Sequence, residues 1–317
     1  MPEYKRKSIR ASQIEEYISL VEQGVNIIYV VSDSISTSKI APFMERFPER
    51  LVNVGIAEQN LIGVATGLSN GGFIPVTGNA TPFLISRSNE QLKVDASYSH
   101  TNIKINGLHA GFSYGTDGVT HHEVNDISTV RGFPSFEIFA PMDPADCKFI
   151  TRYSVLENNG PVYISLNTGE YQSLLPENEK RTVGVPLQFE HGDDITVIAL
   201  GTAIHDVLEA YTQVKTKGIC HADIFAVNSI RPFYPDSLIE SLCRTGRVIT
   251  VEQHSTHGGL GSKVAELIAD EGIGAKLFRM GVPEGVFTKN WTAADNKKYF
   301  ALGAEGIKAK IREAMKL

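Results

Sequence analysis

Six short apolar runs, at 27–31, 52–54, 73–76, 103–105, 138–140 and 162–166, punctuate the first half of the chain and are separated by stretches of helical character. Taken together they read as near-continuous apolar strands, interrupted only by single polar residues such as Asn53 and Lys104, and strands of that composition are buried on both faces. Strands of that kind belong to a mostly parallel sheet covered by helices. The intervening stretches agree. Ile14, Ile18 and Val21 recur at helical spacing, 90–97 is a helix candidate, and 144–156 is another, opened by Asp143 as N-cap with Pro144 at the first helical position. This half is predicted to be an α/β domain.

After Leu166 the pattern gives way to Asn167-Thr168-Gly169-Glu170 and a polar, proline-bearing stretch reaching about Pro186, the composition of an interdomain connection. A second α/β unit follows, with strands predicted at 195–200, 222–227, 248–251 and 276–280 and helices at 204–215, 236–243, 261–270 and 304–315. The expected organisation is a domain over 1–172, a linker over 173–190 and a second domain over 191–317, both built on mostly parallel sheets. The loop His257-Gly258-Gly259-Leu260-Gly261 invites a phosphate-binding reading, but it lacks the G-x-G-x-x-G pattern, and a turn that packs a helix on its strand accounts for it better.

Composition excludes several function classes. A net charge of −6 spread over 317 residues gives no nucleic-acid-binding or membrane-seeking surface, and no run of about 18 apolar residues occurs. The basic start at 1–10 is not followed by an apolar signal core, so the chain is expected in the cytoplasm. Cys147, Cys220 and Cys243 are odd in number and lack CxxC spacing, which disfavours disulfides and structural zinc; they are expected to be buried thiols.

In an open parallel sheet, ligands bind beyond the carboxyl ends of the strands, so the residues that follow each strand are the candidates for a site. After the first strand come Ser32, Asp33 and Thr37; after the second, Glu58, at the first turn of an apolar helix; after the third, Asn79 and Phe83; after the fourth, His109 and then the loop Gly115-Thr116-Asp117-Gly118-Val119-Thr120-His121-His122. An acid at a helix start is favoured by the helix dipole alone, but three histidines and an aspartate on one glycine-rich loop point to a site. Metal binding by His109, Asp117, His121 and His122 is a rival reading. Adjacent histidines on a loop diverge, however, and the spacing is not that of a zinc site, so no metal ligands are assigned. No G-x-S-x-G elbow supports a hydrolytic triad.

Gly55-Ile56-Ala57-Glu58-Gln59-Asn60 resembles the glutamate motif of the transketolase family of thiamine diphosphate enzymes. Phe83 followed by Arg87-Ser88-Asn89-Glu90-Gln91 resembles its aromatic and helix motif, with one residue more between Phe83 and Arg87 than in long-chain members, and Gly115 to His121 resembles its G-x-D-G-P-T-H segment. The resemblance covers nearly the whole chain. It implies a pyrimidine-binding domain followed by the family's C-terminal domain, and transfer of a two-carbon ketol unit from an anionic ketose to an aldose. Glu58 would be catalytic, sharing a proton with the cofactor's aminopyrimidine, on which Phe83 would stack; Asp33 is taken as a further cofactor contact. Asp117 and His121 would bind donor hydroxyls, and His109, a second catalytic candidate, would lie toward the distal anion with Arg10 and Thr37. Asn167 stands where the family has a phosphate-binding arginine, which puts the usual sugar-phosphate preference in question and leaves a sulfonate or a differently placed phosphate open.

The family holds the cofactor's diphosphate through Mg²⁺ with a Gly-Asp-Gly segment that this sequence lacks. The resemblance therefore implies one subunit of a split transketolase, whose partner, an N-terminal subunit, brings the Mg²⁺ ligands, in an α2β2 heterotetramer. The rival readings are the β subunit of a 2-oxo acid dehydrogenase complex, a deoxyxylulose phosphate synthase, and a non-catalytic scaffold of the same fold.

Overall fold

The computed structural model describes residues 5–33, 35–177 and 179–316. The first four residues of the basic start, and Asn178 of the expected connection, lie outside them. Two α/β units are present, each built on its own sheet. The first sheet has seven strands in the spatial order Ser229–Arg231, Glu137–Phe139, Val162–Leu166, Lys104–Leu108, Ile74–Ala80, Ile27–Val31 and Leu51–Asn53. All neighbours pair parallel except the first two. The second sheet has five strands, in the order Lys276–Val282, Arg247–Ser255, Ile195–Leu200, Ala222–Val227 and Leu187–Glu190, and only the last of these is antiparallel to its neighbour.

Three differences from the sequence reading have physical causes. The strand expected at 73–76 runs over Ile74–Ala80, because its polar end is satisfied inside the molecule: Asn79 bonds Glu58, and the bare Cα of Gly78 makes room for Tyr29, whose hydroxyl would lie 2.2 Å from a Cβ there. The helix expected at 90–97 is a short α-turn, Asn89–Gln91, continued as a π-helix over Leu92–Tyr98. The stretch read as a connection contains the strand Leu187–Glu190, and the second unit lends the strand Ser229–Arg231 to the first sheet. Arg231 fixes that loan by donating to the carbonyls of Arg131, Phe133 and Phe136 at 2.9, 2.7 and 3.2 Å.

The two units share one core. Ile127, Ile138 and Ala140 of the first pack with Leu200, Phe225, Val227 and Leu260 of the second, all buried. Among the described residues no helix is long and apolar enough to cross a membrane. Cys147 and Cys220 are buried thiols, but Cys243 is exposed: on the helix Asp236–Thr245 the buried positions are Leu238, Ser241, Leu242 and Thr245, and position 243 falls out of phase with them.

Candidate active site

The site begins with a loop braced from the neighbouring strand end. Gly55 holds φ 74°, a left-handed conformation that costs glycine little. Ser32 donates to the Gly55 carbonyl at 2.7 Å and accepts the Ala57 N–H at 2.9 Å, while Asn53 Oδ1 accepts the N–H groups of Gly55 and Asp33 at 3.0 and 3.2 Å. This bracing fixes Glu58 as the first residue of the helix Glu58–Asn70, 6 % exposed. Its Oε1 accepts from Asn79 Nδ2 at 3.3 Å and from Arg87 at 3.0 Å. Beside it lies an open hollow of about 520 Å³ bounded by Ile56, Ala57, Glu58, Gln59, Asn60 and Arg87.

From Glu58 an unbroken run of contacts crosses the carboxyl edge of the sheet. The Arg87 guanidinium lies over the Phe83 ring at 4.1 Å, and Phe83 meets His121 edge-on at 5.1 Å between centroids. His121 meets Tyr114 at 5.2 Å, and Tyr114 stacks on His109 at 4.4 Å with 28° between planes. His109 Nε2 faces Arg10 at 3.2 Å, and Arg10 donates in turn to the Thr37 carbonyl. Six of the residues singled out from sequence, Glu58, Phe83, His121, His109, Arg10 and Thr37, are thus joined within one site.

The His109–Arg10 contact sets a tautomer. A guanidinium only donates, so Nε2 of His109 accepts and Nδ1 carries the proton. That Nδ1 is buried and without a hydrogen-bond partner, as is Arg10 Nε. Desolvation, helped by the charge of Arg10, pushes the His109 pKa down to about 3, so the imidazole is neutral at physiological pH. Desolvation also lowers Arg10, whose guanidinium nevertheless keeps its charge. The two side chains meet through Nε2, while His109 Nδ1, on the far side of the ring, and Arg10 Nε each keep a buried hydrogen without a partner among the described residues.

Asp117 is exposed on the 3₁₀ segment Gly115–Thr120, next to the run. The second unit holds this segment in place: a Cβ on Gly118, at φ 74°, would stand 2.1 Å from Asn290 Oδ1, and His122 is turned away from His121 to bond Thr288 at 2.8 Å and the Gly115 carbonyl at 2.7 Å. The two adjacent histidines diverge as the sequence reading expected. Asp33 stands apart from the run, exposed at φ 55° with its N–H tied to Asn53. Asn167 is also engaged elsewhere: its Nδ2 donates to the Ala110 carbonyl at 3.0 Å and its Oδ1 accepts from Thr202 at 3.1 Å, which pins the first unit to the second. Tyr114 and the bridging part played by Arg87 were not singled out from sequence. A lone tyrosine beside a motif carries no pattern, and its place between two imidazoles exists only in the fold.

The glycine loop at 257–261 is no anion site. Glu252 already fills the start of the helix Leu260–Asp270, accepting the N–H groups of Leu260 and Gly261 at 2.7 and 2.8 Å, and a Cβ on Gly259 would stand 2.1 Å from its carboxylate.

Comparison with known proteins agrees with this geometry. Residues 6–173 match the pyrimidine-binding domain of transketolase and residues 185–307 its C-terminal domain. The chain is 42 % identical over 294 residues to one subunit of the apulose-4-phosphate transketolase of Actinobacillus succinogenes, covering 93 % of this chain and 94 % of that one. It is 31 % identical over 274 residues to a 6-deoxy-6-sulfo-D-fructose transketolase subunit of a Clostridium species, covering 86 % and 84 %. Among solved structures, a split-gene transketolase described as an inactive β4 tetramer superimposes with a TM-score of 0.87 at 30 % identity, over 98 % of this chain and 99 % of that one. The chain belongs to the transketolase family. Within it, the chain takes the place of the separately encoded C-terminal subunit of a split transketolase.

Proposed function

We propose that this chain, joined to an N-terminal subunit that supplies the diphosphate and Mg²⁺ ligands, transfers a two-carbon ketol unit from an anionic ketose to an aldose. The observation that carries the reading is the unbroken run from Glu58 to Arg10, which links a buried acid and an aromatic face at one end to a cation and a neutral imidazole at the other.

The residues fit the pyrimidine half of thiamine diphosphate. Arg87 spans Glu58 and Phe83 with a planar group that stacks on the ring and donates an N–H to the carboxylate. A flat aminopyrimidine would make the same two contacts, entering by the hollow beside Glu58 with the half-exposed Arg87 displaced. Thiamine diphosphate would supply an electron sink for the transferred two-carbon unit. Glu58 would hold or share a proton at the pyrimidine nitrogen, and Phe83 would set the tilt of the ring. Asp117 and His121 face the donor's hydroxyls. Arg10 and His109 face its far end, where the guanidinium provides charge.

The relatives are named for apulose 4-phosphate and for 6-deoxy-6-sulfo-D-fructose, which supports an anionic donor. The inactive β4 assembly of the similar split-gene protein supports self-association of this chain within an α2β2 enzyme, and catalysis only once the N-terminal subunit is present. A cytoplasmic location follows from that metabolic role. The test is reconstitution with the N-terminal subunit, thiamine diphosphate and Mg²⁺, followed by a donor screen of phosphorylated and sulfonated ketoses against pyruvate. Oxidation of pyruvate with a redox dye and no ketol transfer would replace this reading with the dehydrogenase one.

A further inference from the structure

Asn79 sits one position before the end of the interior strand Ile74–Ala80, in register with Gly107 of its neighbour and 1 % exposed. A strand covered on both faces favours an apolar, often β-branched residue at such a place, and a buried amide is costly unless its hydrogen bonds are met. The Asn79 amide gives an N–H to Glu58 Oε1 at 3.3 Å. Because a carboxylate only accepts, the nitrogen of the amide is the end that faces it. Arg87 donates to the same oxygen at 3.0 Å, so both protein donors are gathered on Oε1, while Oε2 makes no hydrogen bond among the described residues. The two donors differ in permanence. Arg87 ends the helix Thr81–Arg87 and is about half exposed, in the place that the ring of the cofactor would take, whereas Asn79 is held inside the sheet.

We propose that Asn79 is a positioning residue for the proton exchanged at Glu58: its N–H holds Oε1 as an acceptor, so that Oε2 is the oxygen that carries the proton and offers it to a ring in the hollow that Glu58 borders. This rests on the ketol-transfer reading and adds to it which carboxyl oxygen works and what turns it. With the ring in place of Arg87, Asn79 is the donor to the carboxyl that remains. An N–H bonds an ionised carboxylate roughly twice as strongly as a neutral acceptor, so the contact tightens when Oε2 gives its proton to the pyrimidine nitrogen and relaxes when it takes the proton back. The amide does not compete for that proton, because it does not titrate in the working pH range.

The test uses the two-subunit enzyme reconstituted with Mg²⁺, with thiamine diphosphate binding read by calorimetry and ketol transfer by initial rates. Asn79→Val, at home in a buried strand but without a donor, should weaken cofactor binding and lower kcat by about 10-fold each, while KM for the ketose stays within about twofold. In a Glu58→Ala background the same substitution should change cofactor affinity by less than about twofold, since a residue that acts through the acid has nothing left to act on. An equal loss in both backgrounds would mark Asn79 as packing only, and no loss in either would remove it from the site; both results overturn the proposal. Asn79→Asp keeps the shape and gives a second test should the valine variant fold poorly. Protonated, it donates to Oε1; ionised, it repels the carboxylate, so its cofactor affinity relative to wild type should fall as pH rises from 5 to 8, and a flat ratio overturns the proposal as well. A wild-type complex that binds thiamine diphosphate with the Asn79→Val penalty yet transfers no ketol unit would overturn the reaction class and leave the role of Asn79 standing, whereas one that binds no thiamine diphosphate would overturn both.

Discussion

Two clusters of the same residue kinds lie a short distance apart, and they are finished in opposite ways. At the sheet edge, Glu58, His121, Tyr114, His109 and Arg10 belong to one run of contacts, but buried donors on His109 and Arg10 are left without partners. At the seam between the two units, Asp126 Oδ2 accepts from Tyr163 and Ser165 at 2.7 and 2.6 Å, Glu123 accepts the Asn125 N–H at 2.9 Å, and Glu252 caps a helix. Beside Asp126, Ser165 and His254 lies a cavity of about 20 Å³, room for a single water. The seam is fully buried and acidic, whereas the run is half-buried except at Glu58 and carries the Arg10 cation. What also separates a binding site from a structural network here is whether the hydrogen bonds close, and a buried donor left open is costly unless something arrives to accept from it.

Substitutions can break that contrast. Glu58→Gln keeps the size and one acceptor of the carboxyl but cannot exchange a proton, so activity of the reconstituted enzyme is expected to fall about 10²- to 10⁴-fold while assembly and melting temperature hold. Activity within a few-fold of wild type would return Glu58 to the rank of a helix-start acid. Asp126→Ala should do the reverse. It orphans two buried hydroxyls at a cost of roughly 3 kcal/mol, visible in denaturant unfolding, with turnover per folded molecule nearly unchanged. A collapse of turnover at unchanged stability would show that the seam takes part in catalysis.

The same contrast has a pH signature. Burial first, and the neighbouring Asp126 second, raise the Glu123 pKa above its ordinary value, so the folded state keeps a proton that the unfolded chain gives up. Above the ordinary carboxylate pKa of about 4.3 the unfolded state binds fewer protons, and stability falls as pH rises toward the raised value, by at most about 1.4 kcal/mol per pH unit. Glu123→Gln should flatten that decline in melting curves taken from pH 5 to 8. An unaltered slope would assign the dependence to another group. His109, already neutral, should contribute no limb to the activity profile between pH 5 and 8.

Much of the fold was legible in the sequence because burial on both faces writes itself as short apolar runs, and Val162–Leu166, Ala222–Val227, Pro144–Leu156 and Ala304–Met315 fall where the pattern put them. What escaped were elements whose reason is tertiary. Ser229–Arg231 is a strand only because Arg231 reaches the carbonyls of the other unit; the strand expected at 103–105 is present as Lys104–Leu108, but the Asn158 and Gly160 carbonyls that take the Lys104 ammonium, at 2.9 Å each, could not be read from the pattern. The site was legible in its members rather than its wiring. Glu58 and the loop from Gly115 announce themselves by spacing, whereas the contact of Arg10 with His109 joins residues 99 apart in sequence.

Asn167 shows how the wiring changes an expectation. Read as a replaced phosphate-binding arginine, it invites restoration of the charge by Asn167→Arg. The amide, however, bonds the first unit to Thr202 of the second and donates to the Ala110 carbonyl, so both its ends are engaged within the protein. Asn167→Arg is therefore expected to lose both hydrogen bonds, at about 1–2 kcal/mol of stability, without a selective gain for phosphorylated over unphosphorylated ketoses. If the ratio of kcat/KM for those two donors rises tenfold or more while the melting temperature holds, position 167 faces the substrate after all, and the boundary drawn here between the open cluster and the closed one has to move to include it.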